Sequence, residues 1–451
     1  MAKKKQTELT IEEKLQNALV PKEEQPYKIP SNWCWVRLDF LLKEICNGTT
    51  IKQNKEGKTA RVTRIESLQN NTIDFNRIGN IVNESLIKDK DWYIEGDIIV
   101  SHINSIEHVG KSAVITRDML PLVHGMNLLR LRLNNICNSQ FFQLYTRTTD
   151  YKKSIVNRVN RAVNQVNINQ KQLCSLEIPI TNLKEQQRIV NRIESLFVKL
   201  DRAKELIENT LAQFEQNKMA ILHKAFTGEL TAKWRKENNI DLSSWKKCEL
   251  KEVFKVVKDK YNPQTENQIV NYIGLENIET SKGIISKNNS SEVKSIKTKF
   301  KKDDVLYGKL RPYLNKHDVV NFDGICSTDI LVFRFNDINT AKYINYYFNL
   351  PMFIQYAVEN SSGINLPRVS EKTISKYKIS LPTIEEQQEI VNILDRLLAK
   401  YNKIKNLEQQ LEKIELLKKA ILAKAFRGEL GTNNPDEESA ENLLKEILAE
   451  K

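Results

Sequence analysis

Two long stretches of this chain carry apolar residues at helical spacing. In the first, Ile189, Ile193, Leu196, Leu200, Ala203, Ile207, Thr210, Phe214, Asn217 and Ile221 follow alternating steps of four and three. That rhythm predicts a helix with a coiled-coil seam. In the second, Ile390, Leu394, Leu397, Tyr401, Ile404, Leu407, Leu411, Ile414, Leu417 and Ile421 twice take a step of three after a step of three, which predicts local overwinding. Neither stretch contains Pro or Gly before Gly228 or Gly428, which stand where a C-terminal cap is needed. Roughly 40 residues at ~1.5 Å each make a rod of about 60 Å. Two such rods in one chain most economically bury their seams against each other.

The two stretches are copies. Glu185-Gln186-Gln187 matches Glu386-Gln387-Gln388, Ile189-Val190-Asn191 matches Ile390-Val391-Asn392, and Ala225-Phe226 matches Ala425-Phe426. Gly228-Glu229-Leu230 and Gly428-Glu429-Leu430 close both, and the second copy is one residue shorter. Each rod follows a region of short β-type runs, such as Asp97-Ile98-Ile99-Val100 and Asp304-Val305-Leu306-Tyr307, separated by turn residues. Both regions open on tryptophan, at Trp33 and Trp245, and both reach their rod through a proline, Pro179 or Pro382. The reading is an α+β chain with a pseudo-two-fold repeat: a helical segment at 1–30, a mixed globule at 31–180, a spacer helix at 181–235, a second globule at 241–382, a second spacer helix at 383–430 and a tail helix at 431–451. Leu443, Leu444, Ile447 and Leu448 give the tail an apolar stripe, expected to pack on a helix at 11–20.

Charge adds a partner class. Lys plus Arg number 70 against 57 Asp plus Glu, a surplus of +13 that favours polyanions, although a lysine-rich surface also serves solubility. No apolar run is long enough for a membrane span. The six cysteines form no C-x-x-C pair, which fits a reducing cytosol. Gly110-Lys111-Ser112 resembles the end of a phosphate loop, but Ser105 stands where the earlier glycine would be required, so a turn between strands is expected. His102 and His108 have no Cys or acidic cluster to complete a metal site, and Asp436-Glu437-Glu438 reads as negative charge before a helix. No catalytic constellation emerges.

Basic residues interleaved with amides do emerge. Between Asp150 and Glu177 there is no acid, while Lys152, Lys153, Arg158, Arg161 and Lys171 alternate with Asn160, Asn164, Gln165, Asn167 and Gln170. Arg and Lys neutralise phosphates, and Asn or Gln pairs bidentately with adenine. A solvated helix followed by a polar loop is the plainer reading. In the second globule a lysine-rich run from 294 to 302, including Lys299, precedes Lys309, Arg311, Tyr313 and Asn315. There the plainer reading is a hairpin with Tyr307 and Leu310 in the core. Arg61 and Arg64, and Asn365 and Arg368, are further DNA-binding candidates. For helix packing the candidates are Ile189, Ile193, Leu196, Leu200, Phe214, Ile390, Leu394, Leu397, Leu411 and Ile421. Outward-facing Arg188, Arg192, Lys204, Lys403 and Lys405 are candidates for docking partner helices.

The duplicated order of Pro30-Ser31-Asn32-Trp33, Gly274-Leu275-Glu276-Asn277-Ile278, Tyr307-Gly308-Lys309-Leu310-Arg311-Pro312-Tyr313 and the two Glu-Gln-Gln helices ending in Ala-Phe-x-Gly-Glu-Leu resembles the specificity subunit of type I restriction–modification systems. The resemblance implies two target-recognition domains separated by two long antiparallel coiled-coil helices, each domain reading half of an asymmetric, split double-stranded DNA target. It further implies a non-catalytic cytoplasmic subunit that binds two methyltransferase subunits, with restriction subunits joining for cleavage. S-adenosylmethionine, ATP and magnesium would then belong to those partners, leaving no cofactor and no metal in this chain. The second globule departs from the pattern in having Ser243-Ser244 before its tryptophan. A stand-alone DNA-binding or architectural protein and a coiled-coil interaction protein are the alternatives.

Overall fold

The computed structural model describes residues 10–54, 60–163, 165–266, 268–280, 282–402 and 405–450. They form two compact units that do not follow chain order: residues up to 205 and from 410 onward make the first, and residues 206–409 the second.

The first unit centres on a four-stranded antiparallel sheet ordered Leu42–Asn47, Leu128–Leu133, Ile98–Ser101, Ser112–Val114. Ile98–Ser101 is buried at all four positions, as expected for a continuous apolar run covered on both faces. Asp97, wholly buried just before that strand, accepts from Arg132 Nε and Nη2 at 2.8 and 2.9 Å. This fork ties the start of one strand to its neighbour. A second strand pair, Cys34–Arg37 with Glu177–Ile180, closes the globule where the chain enters and leaves it.

The second unit repeats the plan. Its four-stranded sheet runs Phe254–Val256, Ile330–Phe335, Val305–Gly308, His317–Val319, and Lys246–Glu249 pairs with Lys378–Leu381. Asp304 is forked by Arg334 Nε and Nη2 at 2.8 and 2.6 Å. Beside this scaffold lies a five-stranded sheet in which Asn271–Ile273 runs parallel to Gly324–Cys326. The first unit instead has two small strand pairs, Ala60–Val62 with Gly79–Ile81 and Leu68–Gln69 with Thr72–Ile73. The repeated part is the scaffold; the region inserted into it differs.

The first long helix, Leu183–Phe226, is continuous over 44 residues. Asn182 caps it by accepting from the Glu185 amide at 2.9 Å. The second is described as Ile384–Asn402 and Lys405–Ala425; the predicted overwinding around Tyr401, Ile404 and Leu407 involves residues 403–404, outside the described residues. It ends in a Schellman motif, with Gly428 at φ +74° and the Glu429 amide donating to the Lys424 carbonyl at 2.9 Å. In the first unit the helices run antiparallel, since Asp201 pairs with Lys418 and Lys204 with Glu415.

The predicted seam is only partly what is buried. Ile189, Ile193, Ile390 and Leu394 are fully buried, and Leu196, Leu200, Phe214, Leu397, Leu411 and Ile421 are half-buried. Phe197, beside the assigned Leu196, is the buried residue at that level, and Leu417 and Asn217 are exposed although the heptad places both in the seam. A straight helix drifts about 20° per heptad relative to a 3.5-residue repeat, so the line of burial leaves the heptad positions. The tail behaves as expected: Leu15 and Ala18 of the helix Ile11–Ala18 share a core with Ala440, Leu444 and Leu448 of Ala440–Glu450.

The repeated motifs at the helix ends have structural work. Gln186 donates to the carbonyls of Ile136 and Thr181, both at 2.7 Å, and Gln387 donates to that of Pro382 at 2.8 Å, fastening each helix start to its globule. Glu386, wholly buried, accepts from Thr231 at 2.6 Å, Trp245 Nε1 at 2.8 Å and Arg235 Nη1 at 2.5 Å. Glu185, equally buried, accepts from Thr432 at 2.6 Å and Arg188 at 2.7 Å. Arg188 also forks Glu437 at 2.9 and 2.6 Å, so it links the helix start to the tail. Glu437 accordingly serves that link.

Candidate nucleic-acid interface

In each unit two segments meet on one exposed edge. One is the loop leaving the second sheet strand in sequence; the other is a hairpin just before the last strand. In the second unit the loop 309–316 and the turn 361–368 are joined by backbone: the Arg311 amide donates to the Pro367 carbonyl at 2.7 Å and the Val369 amide to that of Lys309 at 3.0 Å. Ser362 and Arg368 exchange both amide bonds, at 2.9 and 2.8 Å. Arg311 at φ +52° and Asn315 at φ +43° flank the turn Pro312–Leu314. Left-handed backbone costs a residue with a Cβ of order 1 kcal/mol, a strain that surrounding contacts must hold.

That framework gathers five predicted residues. Arg311, Tyr313, Asn365 and Arg368 are exposed, Lys309 is half-buried, and Asp329 anchors Arg368 at 3.2 Å with Lys309 Nζ at 4.0 Å. Arg311 has no ion pair among the described residues. Asn315 does not join them. It is buried, donating through Nδ2 to His317 Nε2 at 3.1 Å and to the Phe348 carbonyl at 3.0 Å. Lys299 lies on the five-stranded sheet, paired with Glu266 at 2.6 Å.

In the first unit the loop after Ile98–Ser101 and the hairpin Asn160–Ala162 with Gln165–Asn167 form one three-stranded sheet through Ile103–Asn104. The polar loop considered from sequence is thus a β-ribbon. Arg161 and Gln165 are exposed on it, and Lys153 is exposed on the helix Thr149–Arg158 leading into it. Lys153, Arg161 and Lys171 have no ion pair among the described residues. Asn164 lies outside the described residues. Arg158 is bound by Glu177 and Ser154, so the acid that ends the acid-free run is its partner. Lys152 spans to the carbonyls of Val109 and Glu107 at 2.8 and 3.2 Å, and holds the loop. Gly110-Lys111-Ser112 is the expected turn, with Gly110 at φ +80°.

Arg61 and Arg64 stand apart. Arg61 donates to the carbonyls of Met119 and Pro121, both at 3.1 Å, and covers the Phe75 ring; Arg64 pairs with Glu66 at 3.2 Å. Both are held by structure that composition cannot reveal.

Sequence reading missed the hairpin tips. Val163 is 91% exposed and Ile364 fully exposed, and a search for charges and amides passes over both. It also missed a cavity of about 510 Å³ beneath the first ribbon, lined by Asn47, His102, Asn167, Asn169, Gln170 and Lys171 among others. His102 Nδ1 is buried there without a hydrogen-bond partner among the described residues, and burial holds the ring's pKa below its ordinary value.

The description "Type I restriction modification DNA specificity domain" matches the chain twice, over residues 30–215 and 243–416, each match covering a globule and much of the helix that follows it. The chain belongs to that family. Among its relatives is the MjaX type I restriction enzyme specificity subunit of Methanocaldococcus jannaschii, 28% identical over 89% of this chain and 95% of that one. The EcoDI specificity subunit of Escherichia coli is also 28% identical, over 62% of this chain and 70% of its own. A chain from work on complex assembly and conformational transition of the type I R-M system superposes with a TM-score of 0.66 at 18% identity, over 90% of this chain and all of that one. The HsdS subunit of Thermoanaerobacter tengcongensis gives 0.54 at 19%, with the same coverage. At such identities the last two concern the fold. In this member of the specificity family the helix motifs form locks, and the loop–hairpin edges are the repeated exposed feature. No described helix is long and apolar enough to cross a membrane.

Proposed function

We propose that this chain is the sequence-recognition subunit of a type I restriction–modification complex, and that each unit reads one half of an asymmetric split target through its loop–hairpin edge. The observation that carries the reading is the occurrence, in both units, of that edge on the same sheet strand, with exposed cations and amides in each. The basic surplus supports a polyanionic partner. The unlike residues on the two edges support unlike half-sites, and the unbroken 44-residue helix supports a fixed spacer. The chain acts without chemistry of its own: it recruits two methyltransferase subunits, and restriction subunits for cleavage, and these carry S-adenosylmethionine, ATP and magnesium. Its setting is the cytoplasm.

Methylome sequencing tests this. Inserting or deleting about two helical turns in one long helix should change the spacer and leave both half-sites as they were. A changed half-site with the old spacer is the contrary result. Co-purification of the chain without any methyltransferase would favour a stand-alone DNA-binding protein.

A further inference from the structure

We infer that Val163 and Ile364, the hairpin tips, each contact a thymine methyl group in the major groove, so that each tip selects one A·T pair. This rests on the recognition reading above and adds the atoms read. A single exposed aliphatic residue is ordinary on a protein surface. Two β-branched ones at matching places are a repeated feature. Each stands six residues before the N-cap of the following short helix, Asn169 of Gln170–Cys174 and Ser370 of Glu371–Ser375. Each has almost no contact with its own unit, so neither is held in the sequence by packing.

Their surroundings suit one occupant. Arg161 and Lys153 in the first unit, and Arg311 and Arg368 in the second, are exposed cations on or beside the hairpin, placed for phosphates. A two-stranded β-ribbon such as Asn160–Ala162 with Gln165–Asn167 is of a size the major groove admits. In the second unit the tip is followed by the exposed Asn365. Asparagine reads adenine bidentately in that groove, and the thymine of the same pair displays its methyl group alongside. Aliphatic–asparagine is therefore a pair of residue types matched to an A·T pair.

The test uses the full chain purified with its methyltransferase partner and a randomised duplex library. V163S should erase one T·A preference in one half of the selected motif, and I364S one in the other half, with all remaining positions unchanged. Replacing the corresponding thymine by uracil, which lacks the methyl, should weaken wild-type binding roughly fourfold, the worth of one buried methyl. The same replacement should leave the matching serine variant unaffected. Unchanged motifs in both variants, or a wild type indifferent to uracil, would overturn the assignment while leaving two-headed recognition standing. If the wild type enriches no motif at all, the recognition reading fails first and the tip assignment with it.

Discussion

The two units share strand order, the buried Asp–Arg fork and the glutamine fastening of the helix start, yet they lock the adjacent glutamate differently. In the second unit Glu386 is closed by Thr231, Arg235 and Trp245, with Arg235 itself buried. In the first, Glu185 is closed by Thr432 and Arg188, and Arg188 reaches out to the half-buried Glu437 of the tail, while Trp33 Nε1 is taken over by Asn433 at 3.1 Å. The same demand, a buried carboxylate at a helix start, is met once by a sealed cluster and once by a partly solvated relay. A buried charge is tolerated only when its partners are complete; what completes it is free to differ.

That contrast can be broken most severely in the second unit. R235A leaves Glu386 buried without its counter-charge and should cost about 3–5 kcal/mol in chemical denaturation. R235A combined with E386Q should recover part of that loss. An additive double variant would refute the coupling.

Acid sharpens the comparison next. Each unit buries one neutral histidine: His124, whose Nε2–H donates to the Leu128 carbonyl at 3.0 Å, is held down to about 3, and His317, bonded to Asn315 and Asn345, to about 4, both mainly by burial. The unfolded chain takes up these protons near pH 6.5, before the folded one does. Stability should therefore be full above that pH and fall as pH drops through 6.5 toward 4. H317Q should flatten the fall by on the order of 1–3 kcal/mol, and segment-resolved hydrogen exchange should place the change in the second unit. An unchanged slope would show that the ring protonates without opposition.

Smaller still is the relay. E437A leaves Glu185 with Thr432 and Arg188, so its drop in melting temperature should be less than half that of R235A; an equal drop would mean the two locks are equivalent. Least of all, K418A removes a pair with the exposed Asp201 and a contact over Phe197, and should cost about 0.5 kcal/mol, fading with salt.

Much of this architecture was legible in the sequence, and unevenly so. Strands such as Ile98–Ser101 and Ile330–Phe335, the glycine caps and the repeat itself depend on local spacing, which a sequence displays. The site was legible in kind more than in membership. Arg311, Arg368 and Arg161 are exposed on the paired edges, but Arg158 is taken by Glu177, and Asn315 is held inside by His317 and the Phe348 carbonyl, partners no composition encodes. Charge partners come from distant segments: Glu386 meets Arg235 across 151 positions. The tips Val163 and Ile364 carry no polar signal at all.

The unit boundaries carry a consequence for synthesis. Residues 206–409 are contiguous, whereas the other unit needs both ends of the chain. Phe226, at the end of the first long helix, already packs on Tyr343 and Tyr347 at 5.1 and 4.8 Å, but the aromatic face of Phe141 and Tyr145 waits for Phe426, at 5.0 and 5.1 Å. Of these two units, the one whose synthesis starts earlier is thus completed later, once Phe426 and the helix Ala440–Glu450 have been made.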